Sequence, residues 1–299
     1  MKRLLPNLPA FAIGIAILFG ALPARTDSTD AMRHYAAEKL LHRNVFVRHA
    51  YSATYLHFNE NGAILNGVRT GYWAESGAIY PTKVEVWASG VLHIEADRVA
   101  VAFDQRKGTW QQLRRNSANV VIEVQFSPAH LTPEQGERTI ATIFAADIKD
   151  LARDLLPYWQ PCITGVTRSD PHENGREFCF DKDVTPNMES HAPVPTDAPR
   201  GTGPVVPARA IDAPQPRFTE VAREMYFNGS SVLWLVVDEK GRPAEIYIIS
   251  PAGYGLDDQA VNAIANWRFR PAHLNGKPVR VQTTVEISFR VPRFPRVHR

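Results

Sequence analysis

The stretch that decides the fold of the C-terminal part of this chain covers residues 267–291 and reads WRFRPAHLNGKPVRVQTTVEISFRV. Over residues 281–291 the odd-numbered positions are mainly apolar and the even-numbered positions are all polar. This period of two predicts a β-strand with one face packed inward and the other face in solvent. As the last strand of a small sheet it is a candidate for an exposed edge, and such an edge can accept an extended peptide as an added strand.

Two further strands are predicted upstream. Residues 231–237 read SVLWLVV, and because apolar side chains occupy both faces of this strand, both faces are expected to be covered. Residues 238–241 read DEKG and predict a hairpin turn in which Gly241 takes a positive φ. Residues 245–249 are then predicted to return as the partner strand.

The helix that follows is predicted to open with Asp257 and Asp258, at the end where negative charge is favoured. Its apolar residues recur at steps of three or four positions and form one stripe, made of Leu256, Ala260, Ile264 and Trp267. Pro271 and Gly276 end this helical segment and predict a loop.

These residues resemble the C-terminal domain of the TonB family over about residues 213–292. The most diagnostic part is the pattern W-[RK]-F-x-P-A at 267–272 followed by N-G-x-P-V at 275–279. Upstream, residues 216–222 resemble the P-x-Y-P-x-x-A entry segment of the family, with Phe218 for Tyr and Thr219 for the second Pro. The other matching positions are Gly229, Val232, Asp238, Gly241, Gly253, Leu256, Asp257, Ala260, Ala263 and residues 287–289.

The resemblance implies a periplasmic domain of two to three antiparallel strands packed on helices. In the family, this domain binds the short N-terminal box of outer-membrane transporters by pairing with its last strand, which corresponds here to residues 281–291. The side chains expected to contact the peptide are Arg280, Gln282, Thr284, Glu286, Ser288 and Arg290. Energy in the family comes from a proton-driven inner-membrane motor, ExbB and ExbD, reached through an N-terminal membrane helix. No cofactor is expected.

The rest of the chain predicts a second domain and a linker. Residues 27–182 predict a β-rich domain with helices, in which strands are suggested at 44–58, 83–87, 91–103 and 119–126. A short helix is expected at 27–41, and a second one begins at Thr132 with Pro133 in its first turn and an apolar stripe that continues to Leu155. Residues 183–212 are rich in proline and predict an extended linker, so the whole chain is expected to be α+β.

The first 24 residues predict the cellular compartment of the protein. Lys2 and Arg3 precede an uncharged stretch, residues 4–24, which ends in small residues. This pattern is typical of a secretory signal peptide, and a retained membrane anchor is the alternative. Either interpretation predicts an exported, periplasmic body, anchored to the inner membrane if the segment is retained.

The predicted export determines how the two cysteines are interpreted. Cys162 and Cys179 are the only pair in the sequence, so a disulfide is the expected state in an oxidising compartment. The alternative is a nucleophilic or metal-binding cysteine, for which His172 is the nearest candidate partner. Two cysteines exclude both a disulfide scaffold and a four-cysteine zinc site.

The charge of the chain first suggests a nucleic-acid-binding protein, because its 299 residues carry a formal net charge of +3 and the pI is about 8.9. The excess lies at the two ends, in Lys2 and Arg3 and in a basic tail at residues 293–299 that follows Arg290. A nucleic-acid binder needs a basic face with suitable motifs, which this chain lacks, so no nucleic-acid partner is expected. The tail beside the docking strand is suited to attracting an acidic partner segment.

Three functions follow from these patterns. The first is a periplasmic TonB-like protein that binds outer-membrane transporters and transduces proton-motive energy for transmembrane transport. The second is a non-transducing envelope module whose N-terminal domain recognises a partner or polymer. The third is an enzyme housed in residues 27–182, where the sequence contains no G-x-S-x-G, H-E-x-x-H or phosphate-binding glycine loop. The chain is therefore predicted not to be an enzyme.

Overall fold

The computed structural model of the protein describes residues 25–164, 167–169, 177–179 and 205–291. Helices and strands are both present, and the β-rich N-terminal region and the small C-terminal sheet confirm the α+β prediction. Among the described residues, no helix combines the length and apolarity that crossing a membrane requires. The predicted signal peptide or anchor at 1–24, the basic tail at 293–299 and residues 183–204 of the linker lie outside the described residues.

The N-terminal domain is built on a six-stranded sheet with the order β2-β5-β4-β3-β1-β6. All neighbouring strands are antiparallel except β2 and β5, which are parallel. The strands are β1 (Val45–Val47), β2 (Tyr55–Asn59), β3 (Ala78–Val86), β4 (Val91–Asp104), β5 (Thr109–Gln125) and β6 (Phe144–Ala145). The predicted strand at 44–58 is therefore two strands, separated by a 3-10 turn at Arg48–Ala50.

Two helices cover one face of this sheet. Helix α1 (Arg25–Leu40) and helix α3 (Pro133–Ile143) contact each other and enclose an apolar cluster with β2, β4 and β5. Thr132 caps α3 as predicted, because its hydroxyl accepts a hydrogen bond from the Gln135 N–H at 3.3 Å. The predicted continuation of this helix to Leu155 is wrong, since residues 144–145 pair with β1 and the chain continues in the 3-10 turns Ile148–Leu151 and Pro157–Trp159. Short helices α2 (Trp73–Ser76) and α4 (Gln160–Thr164) complete the domain, with the strand pair β7 (Thr167–Ser169) and β8 (Glu177–Cys179).

The C-terminal sheet has three antiparallel strands in the order β12-β11-β16. They are β11 (Gly229–Val237), β12 (Pro243–Ser250) and β16 (Val281–Phe289), and helices α5 (Glu220–Glu224) and α6 (Leu256–Ala265) accompany them. The predicted hairpin is present: the Asp238 carboxylate accepts hydrogen bonds from the Lys240 and Arg242 N–H groups, and Gly241 has a φ of 76°. A side chain at Gly241 would place its Cβ atom 1.9 Å from the Phe269 carbonyl oxygen, so glycine is required there.

Two predictions about irregular segments are wrong. Residues 205–212, expected to be linker, form strands β9 (Val205–Val206) and β10 (Arg209–Asp212). The loop expected around Pro271 and Gly276 instead contains β13 (Arg268–Arg270), β14 (Ala272–Leu274) and β15 (Lys277–Val279). The two errors have one cause, because β10 pairs with β13 and β9 pairs with β14, so each segment supplies the hydrogen-bond partners of the other.

The N-terminal and C-terminal domains share one hydrophobic core. The second half of β4 meets the loop before α6, where the Tyr254 N–H donates to the Val101 carbonyl at 2.8 Å. Gly253 bridges Ala102 at this point, and a Cβ atom at Gly253 would lie 2.4 Å from the Ala102 Cα atom. A single buried cluster extends from Trp73 and Trp159 through this contact to α6 and β11. One buried cluster therefore joins the N-terminal and C-terminal parts of the described chain.

Candidate functional site: the outer edge of the last strand

Strand β16 is the outermost strand of the C-terminal sheet, as the sequence predicts. It pairs with β11 in an unbroken antiparallel register from Gly229 opposite Phe289 to Val237 opposite Val281. A strand with one neighbour leaves half of its backbone N–H and C=O groups on the outer side. The pairing therefore places a nine-residue edge along one side of the domain.

Contacts around β11 identify which backbone groups point outward. The Ser230 carbonyl accepts from the Gln105 side chain, and the Asp238 N–H donates to the Arg242 carbonyl, so the even-numbered residues of β11 direct their backbone groups away from β16. In an antiparallel ladder, the odd-numbered residues of β11 then bond to the odd-numbered residues of β16. The Val291 N–H agrees with this parity, because it donates inward to the Asn228 side chain at 3.0 Å. The outward groups of β16 belong to its even-numbered residues, 282, 284, 286 and 288.

The side chains of β16 alternate in the same way. Val281, Ile287 and Phe289 are buried in the shared core, where Phe289 packs edge-on against Phe218 with ring centroids 5.9 Å apart. Thr284, Glu286 and Ser288 are exposed. The apolar face anchors the strand to the domain, and the polar residues carry both the exposed side chains and the outward backbone groups.

The structure brings four of the six predicted contact residues into one row, namely Gln282, Thr284, Glu286 and Ser288. The other two flank the strand at its ends. Arg280 precedes it and forms an ion pair with Glu245 of β12, with a nitrogen–oxygen distance of 2.8 Å. Arg290 follows it and is exposed. A peptide lying along the whole edge would therefore meet one acidic side chain near the middle and a basic side chain at each end.

Other sheet edges in the described part of the chain are short or covered. Strand β2 is the outer strand of the N-terminal sheet, but the loop that follows it folds back along its free side. The Asn59 N–H donates to the Ala63 carbonyl at 3.0 Å, and the Leu65 N–H donates to the His57 carbonyl at 2.7 Å. Strand β12 is contacted by β8, by α4 and by the turn Pro157–Trp159.

Two buried acids at the start of α6 hold the site's scaffold together. The Asp257 carboxylate accepts hydrogen bonds from the Ser231 hydroxyl at 2.6 Å, the Ala252 N–H at 2.8 Å and the Gly253 N–H at 2.6 Å. Burial raises the pKa of Asp257 to about 7 in spite of these donors. Asp257 thus ties β11 to the loop that docks on the N-terminal domain.

Asp258 connects the two domains. Its Oδ1 atom accepts from the Tyr158 hydroxyl at 2.7 Å and from the Trp159 Nε1–H at 3.1 Å. Burial raises the pKa of Asp258, and burial together with Asp258 also raises the pKa of Tyr158. The sequence predicts only a helix start from these two acids. The sequence signal for the Asp257 contact is Ser231, a polar residue within the otherwise apolar strand β11, because its hydroxyl needs a hydrogen-bond partner once it is buried.

The predicted disulfide is tested only in part. Cys162 is buried, and its Sγ atom lies 3.0 Å from the Ile248 carbonyl oxygen. Cys179 lies on β8, which contacts α4, the helix that carries Cys162. The side chain of Cys179 lies outside the described residues, so the Cys162–Cys179 bond stays a prediction. His172, the alternative partner of a reactive cysteine, is also outside them.

The described side chains contain no group of three or more His, Cys, Asp or Glu residues placed to hold a metal ion. What the edge of β16 offers chemically is a row of backbone donors and acceptors flanked by polar side chains. Such an arrangement binds an extended chain and does not activate a nucleophile.

Comparison with known proteins confirms the resemblance. Residues 214–291 match the family described as the Gram-negative bacterial TonB protein C-terminal. Protein TonB of Vibrio cholerae serotype O1 is 28% identical over 111 residues, which is 36% of this chain and 46% of that protein. The match therefore spans about half the length of this relative. TonB proteins are not enzymes, which agrees with the prediction made from the sequence.

The solution NMR structure of the Pseudomonas aeruginosa TonB C-terminal domain is among the matching solved structures, with 22% sequence identity. The match covers 29% of this chain and 89% of that one, and the TM-score is 0.26.

Proposed function

We propose that this chain, whose residues 214–291 match the TonB C-terminal family, is a periplasmic protein that binds the N-terminal box peptides of outer-membrane transporters. The peptide adds to β16 as a fourth strand of the sheet. The observation that carries the proposal is the outer position of β16 among the described strands, with Thr284, Glu286 and Ser288 carrying both outward backbone groups and exposed side chains. Main-chain hydrogen bonds supply affinity in this mode, and the flanking side chains supply specificity.

The side chains assigned to this contact are Arg280, Gln282, Thr284, Glu286, Ser288 and Arg290. Cross-strand pairs of opposite charge stabilise a sheet by roughly 0.2–1 kcal/mol each. Glu286 therefore favours a basic or hydroxyl-bearing neighbour on the added strand, and Arg290 favours an acidic one. The two residues are four positions apart on one face, so the charges they select are also four positions apart in the peptide.

The wider role we propose is energy coupling for transport across the outer membrane. The TonB family match and the relative named Protein TonB support this role. It requires residues 4–24 to remain as an inner-membrane anchor that reaches an ExbB and ExbD type motor. N-terminal sequencing of the protein purified from cell envelopes tests this requirement. A chain that begins near Arg25 would contradict motor coupling.

A second candidate is a non-transducing envelope module. The observation that favours it is the core shared by the two domains. Through this core the N-terminal domain packs directly against the domain that we propose binds the peptide. In this case β16 still binds a transporter peptide, and the N-terminal domain contributes a partner of its own. The predicted Cys162–Cys179 disulfide fits both candidates, because an exported chain meets oxidising conditions and the described residues contain no free cysteine.

The experiment that tests strand addition replaces one outward N–H. Glu286→Pro removes that donor, and edge strands tolerate proline where the N–H faces solvent. Glu286→Ala is the matched control, because it removes the same side chain and keeps the donor. The probes are synthetic peptides with the N-terminal sequences of outer-membrane transporters from the same organism, and binding is followed by fluorescence anisotropy.

We expect Glu286→Pro to weaken peptide binding at least roughly tenfold, which corresponds to about one hydrogen bond. Glu286→Ala should change affinity by about threefold or less, since one cross-strand side-chain pair contributes less than a main-chain bond. Urea denaturation of both variants checks that the domain is intact. Equal affinities for the two variants would contradict pairing at this edge.

A further inference from the structure

The N-terminal sheet has a second face, opposite helices α1 and α3, that carries aromatic and charged side chains. In the first half of β4, Leu92 is buried beneath the helices, whereas His93 and Glu95 point to the opposite face. Trp87 follows β3 on this face and is 41% exposed, and Tyr55 on β2 is 42% exposed. Large exposed side chains grouped on one surface mark sites of interaction. We call this surface the Trp87 face and define it by Lys83, Glu85, Trp87, His93, Glu95 and Glu123.

The Trp87 indole is held in one orientation. It stacks on the His93 imidazole, with ring centroids 4.6 Å apart and planes inclined by 20°. Its Nε1–H donates to the Oε2 atom of Glu85 at 3.3 Å. The His93 side chain beneath is only 12% exposed, so one face of the indole is covered and the exposed area belongs to the other side. The result is a flat, preorganised aromatic surface.

Three carboxylates lie around the stacked rings. The His93 Nδ1 atom is 3.1 Å from Glu123 Oε1, and its Nε2 atom is 3.4 Å from Glu95 Oε1. The Lys83 ammonium lies 3.2 Å from Glu85 and 3.1 Å from Glu95. This network fixes the positions of the carboxylates relative to the indole.

The Trp87 face carries a net negative charge. Three carboxylates and the ammonium of Lys83 leave a charge of −2 when His93 is neutral and −1 when it is protonated. Hydrogen bonds from Trp87 and Lys83 lower the pKa of Glu85. Hydrogen bonds from Lys83 and His93 lower the pKa of Glu95, so both acids are ionised at neutral pH. Carboxylates and the electron-rich face of an indole both attract a cation.

The donors on this surface are already directed at its own carboxylates. The Tyr55 hydroxyl donates to Glu123 at 2.7 Å, and the Lys83 ammonium is shared by Glu85 and Glu95. The side-chain contacts of Glu95 both use its Oε1 atom, and this side chain is 46% exposed, so Oε2 is left for a further donor. A ligand that offers donors and no acceptor therefore fits. A sugar hydroxyl does both, whereas a guanidinium group has five N–H donors and no acceptor.

A planar cation also fits the shape of the surface better than a compact one. A guanidinium group stacks on an aromatic ring and donates in its own plane to a neighbouring carboxylate. Glu85 and Glu95 are diagonal neighbours, because Glu85 pairs with His93 and Lys83 pairs with Glu95. Diagonal neighbours are roughly 7–8 Å apart. Alternate residues of an extended peptide are about 7 Å apart and lie on one side, so two arginines in this spacing match the two acids.

We propose that the Trp87 face binds an extended, arginine-bearing segment of a partner protein. One guanidinium group stacks on the outer side of the Trp87 indole and donates to Glu85. A second arginine, two positions along the segment, donates to the Oε2 atom of Glu95. This interaction goes beyond peptide binding at β16 and does not depend on it.

The test uses the full chain and the peptide acetyl-Gly-Arg-Gly-Arg-Gly-amide. Indole N–H signals are resolved in two-dimensional proton–nitrogen NMR spectra, and the Trp87 signal is assigned by its loss in Trp87→Phe. We expect this signal to shift and saturate as the peptide is added. The same peptide with citrulline for both arginines keeps the shape and loses the charge, so it should bind at least roughly tenfold more weakly. The lysine peptide keeps the charge without the planar fork and should bind about twofold to fivefold more weakly.

Three variants locate the binding, followed by the backbone amide signals of β4. Trp87→Ala removes the aromatic surface and should weaken binding of the arginine peptide at least roughly fivefold. Glu95→Gln keeps the size of the side chain and removes its charge, so it should weaken binding about twofold to fivefold. Glu137→Gln is the matched control, because it removes the same charge at an exposed position of α3, on the other side of the sheet. It should leave the affinity unchanged, and urea denaturation checks that each variant is folded.

The proposal is overturned if the Trp87 signal does not respond to millimolar arginine peptide, or if the citrulline peptide binds equally well. It also fails if Trp87→Ala and Glu95→Gln bind the arginine peptide as the unchanged protein does. Equal losses in Glu95→Gln and Glu137→Gln would mean that only the overall charge attracts the peptide. A saturable response to chitotriose without one to the arginine peptide would assign the surface to a neutral sugar. None of these results bears on strand addition at β16, because the two surfaces share no residue.

Discussion

The two sheets of this molecule treat their outer strands in opposite ways. In the N-terminal sheet, β2 is covered by its own loop, and β6 at the other side has only two residues. In the C-terminal sheet, β12 lies against the N-terminal domain, while the nine-residue strand β16 has no second neighbouring strand among the described residues. Exposed edges invite unwanted pairing, so proteins normally block them. A long edge with no paired neighbour among the described strands, in the same molecule as a closed one, supports our proposal that β16 is the binding surface.

The packing of the C-terminal sheet against the N-terminal domain also explains how β16 is held in place. Docking of the N-terminal domain involves the loop before α6 and strand β12, on the side of the domain away from β16. The buried acids Asp257 and Asp258 tie that loop to β11 and to Trp159. Substitutions at the contact between the domains, at the buried Asp257 and at the covered edge of β2 therefore test the difference between the two sheets.

The largest effect is expected from Gly253→Ala. Gly253 has a φ of 84°, and a Cβ atom there would lie 2.4 Å from the Ala102 Cα atom, which is backbone and cannot rotate away. The substitution should lower the free energy of unfolding by roughly 3–5 kcal/mol, because both the strain and the clash act at the domain contact. Urea denaturation measures the loss.

Gly276→Ala is the matched control for that substitution. Gly276 has a similar φ of 77°, but a Cβ atom there would meet nothing within 4 Å. It should therefore cost only the backbone strain, about 1–2 kcal/mol. Equal losses in the two variants would show that the close approach to Ala102 does not hold the domains together.

The next effect is a pH dependence that comes from Asp257. Burial raises its pKa from 3.8 to about 7, so between these values the folded protein holds a proton that the unfolded chain has released. The free energy of unfolding should therefore fall as the pH rises from about 4 to about 7, by at most about 1.4 kcal/mol per pH unit from this group. Above pH 7 both states are ionised and the contribution is constant.

Asp257→Asn isolates this contribution, because an amide does not titrate in that range. The difference in unfolding free energy between the unchanged protein and the variant, measured by urea denaturation at pH 4.5 to 7.5, should shift with pH in the direction given above. The shifts of groups that do not interact with Asp257 cancel in this difference, whereas Asp258, whose charge acts on Asp257, adds a contribution of its own. A difference that is independent of pH would mean that the three hydrogen bonds to Asp257 keep its pKa near the ordinary value.

The sequence predicts the open region well because its signals are local. The alternation over residues 281–291 fixes both the strand and the face it buries, and Asp238 with Gly241 fixes the hairpin that precedes it. The position of β16 at the edge follows from its place as the last strand. The alternation does not predict whether the even- or the odd-numbered residues direct their backbone groups outward, because this depends on the pairing with β11.

The sequence predicts the closed region poorly because its pairings are non-local. Residues 205–212 read as linker, since nothing in their composition reveals that β13 and β14 will pair with them from about 60 positions further along. Strand β5 begins at Thr109, ten residues before the predicted start, because its polar first half pairs with the apolar end of β4. The docking of the domains through Gly253 and Asp258 likewise depends on partners that no local pattern names.

The smallest expected effect comes from uncovering part of the closed edge with Asn66→Ala. The Asn66 side chain accepts from the His57 N–H at 3.3 Å and donates to the Tyr55 carbonyl at 2.9 Å. Removing it frees one donor and one acceptor of β2, at a cost of about 1 kcal/mol in unfolding free energy.

Hydrogen exchange of single amides then compares the two edges directly. In the unchanged protein the outward amides of Thr284 and Glu286 should exchange quickly and that of His57 slowly, whereas in Asn66→Ala the His57 amide should approach the rate of the β16 amides. Asn61→Ala, in the same loop at an exposed position, is the control and should leave His57 protected. Slow exchange at Thr284 and Glu286 in the unchanged protein would mean that the edge of β16 is covered, and the contrast between the two sheets would fail.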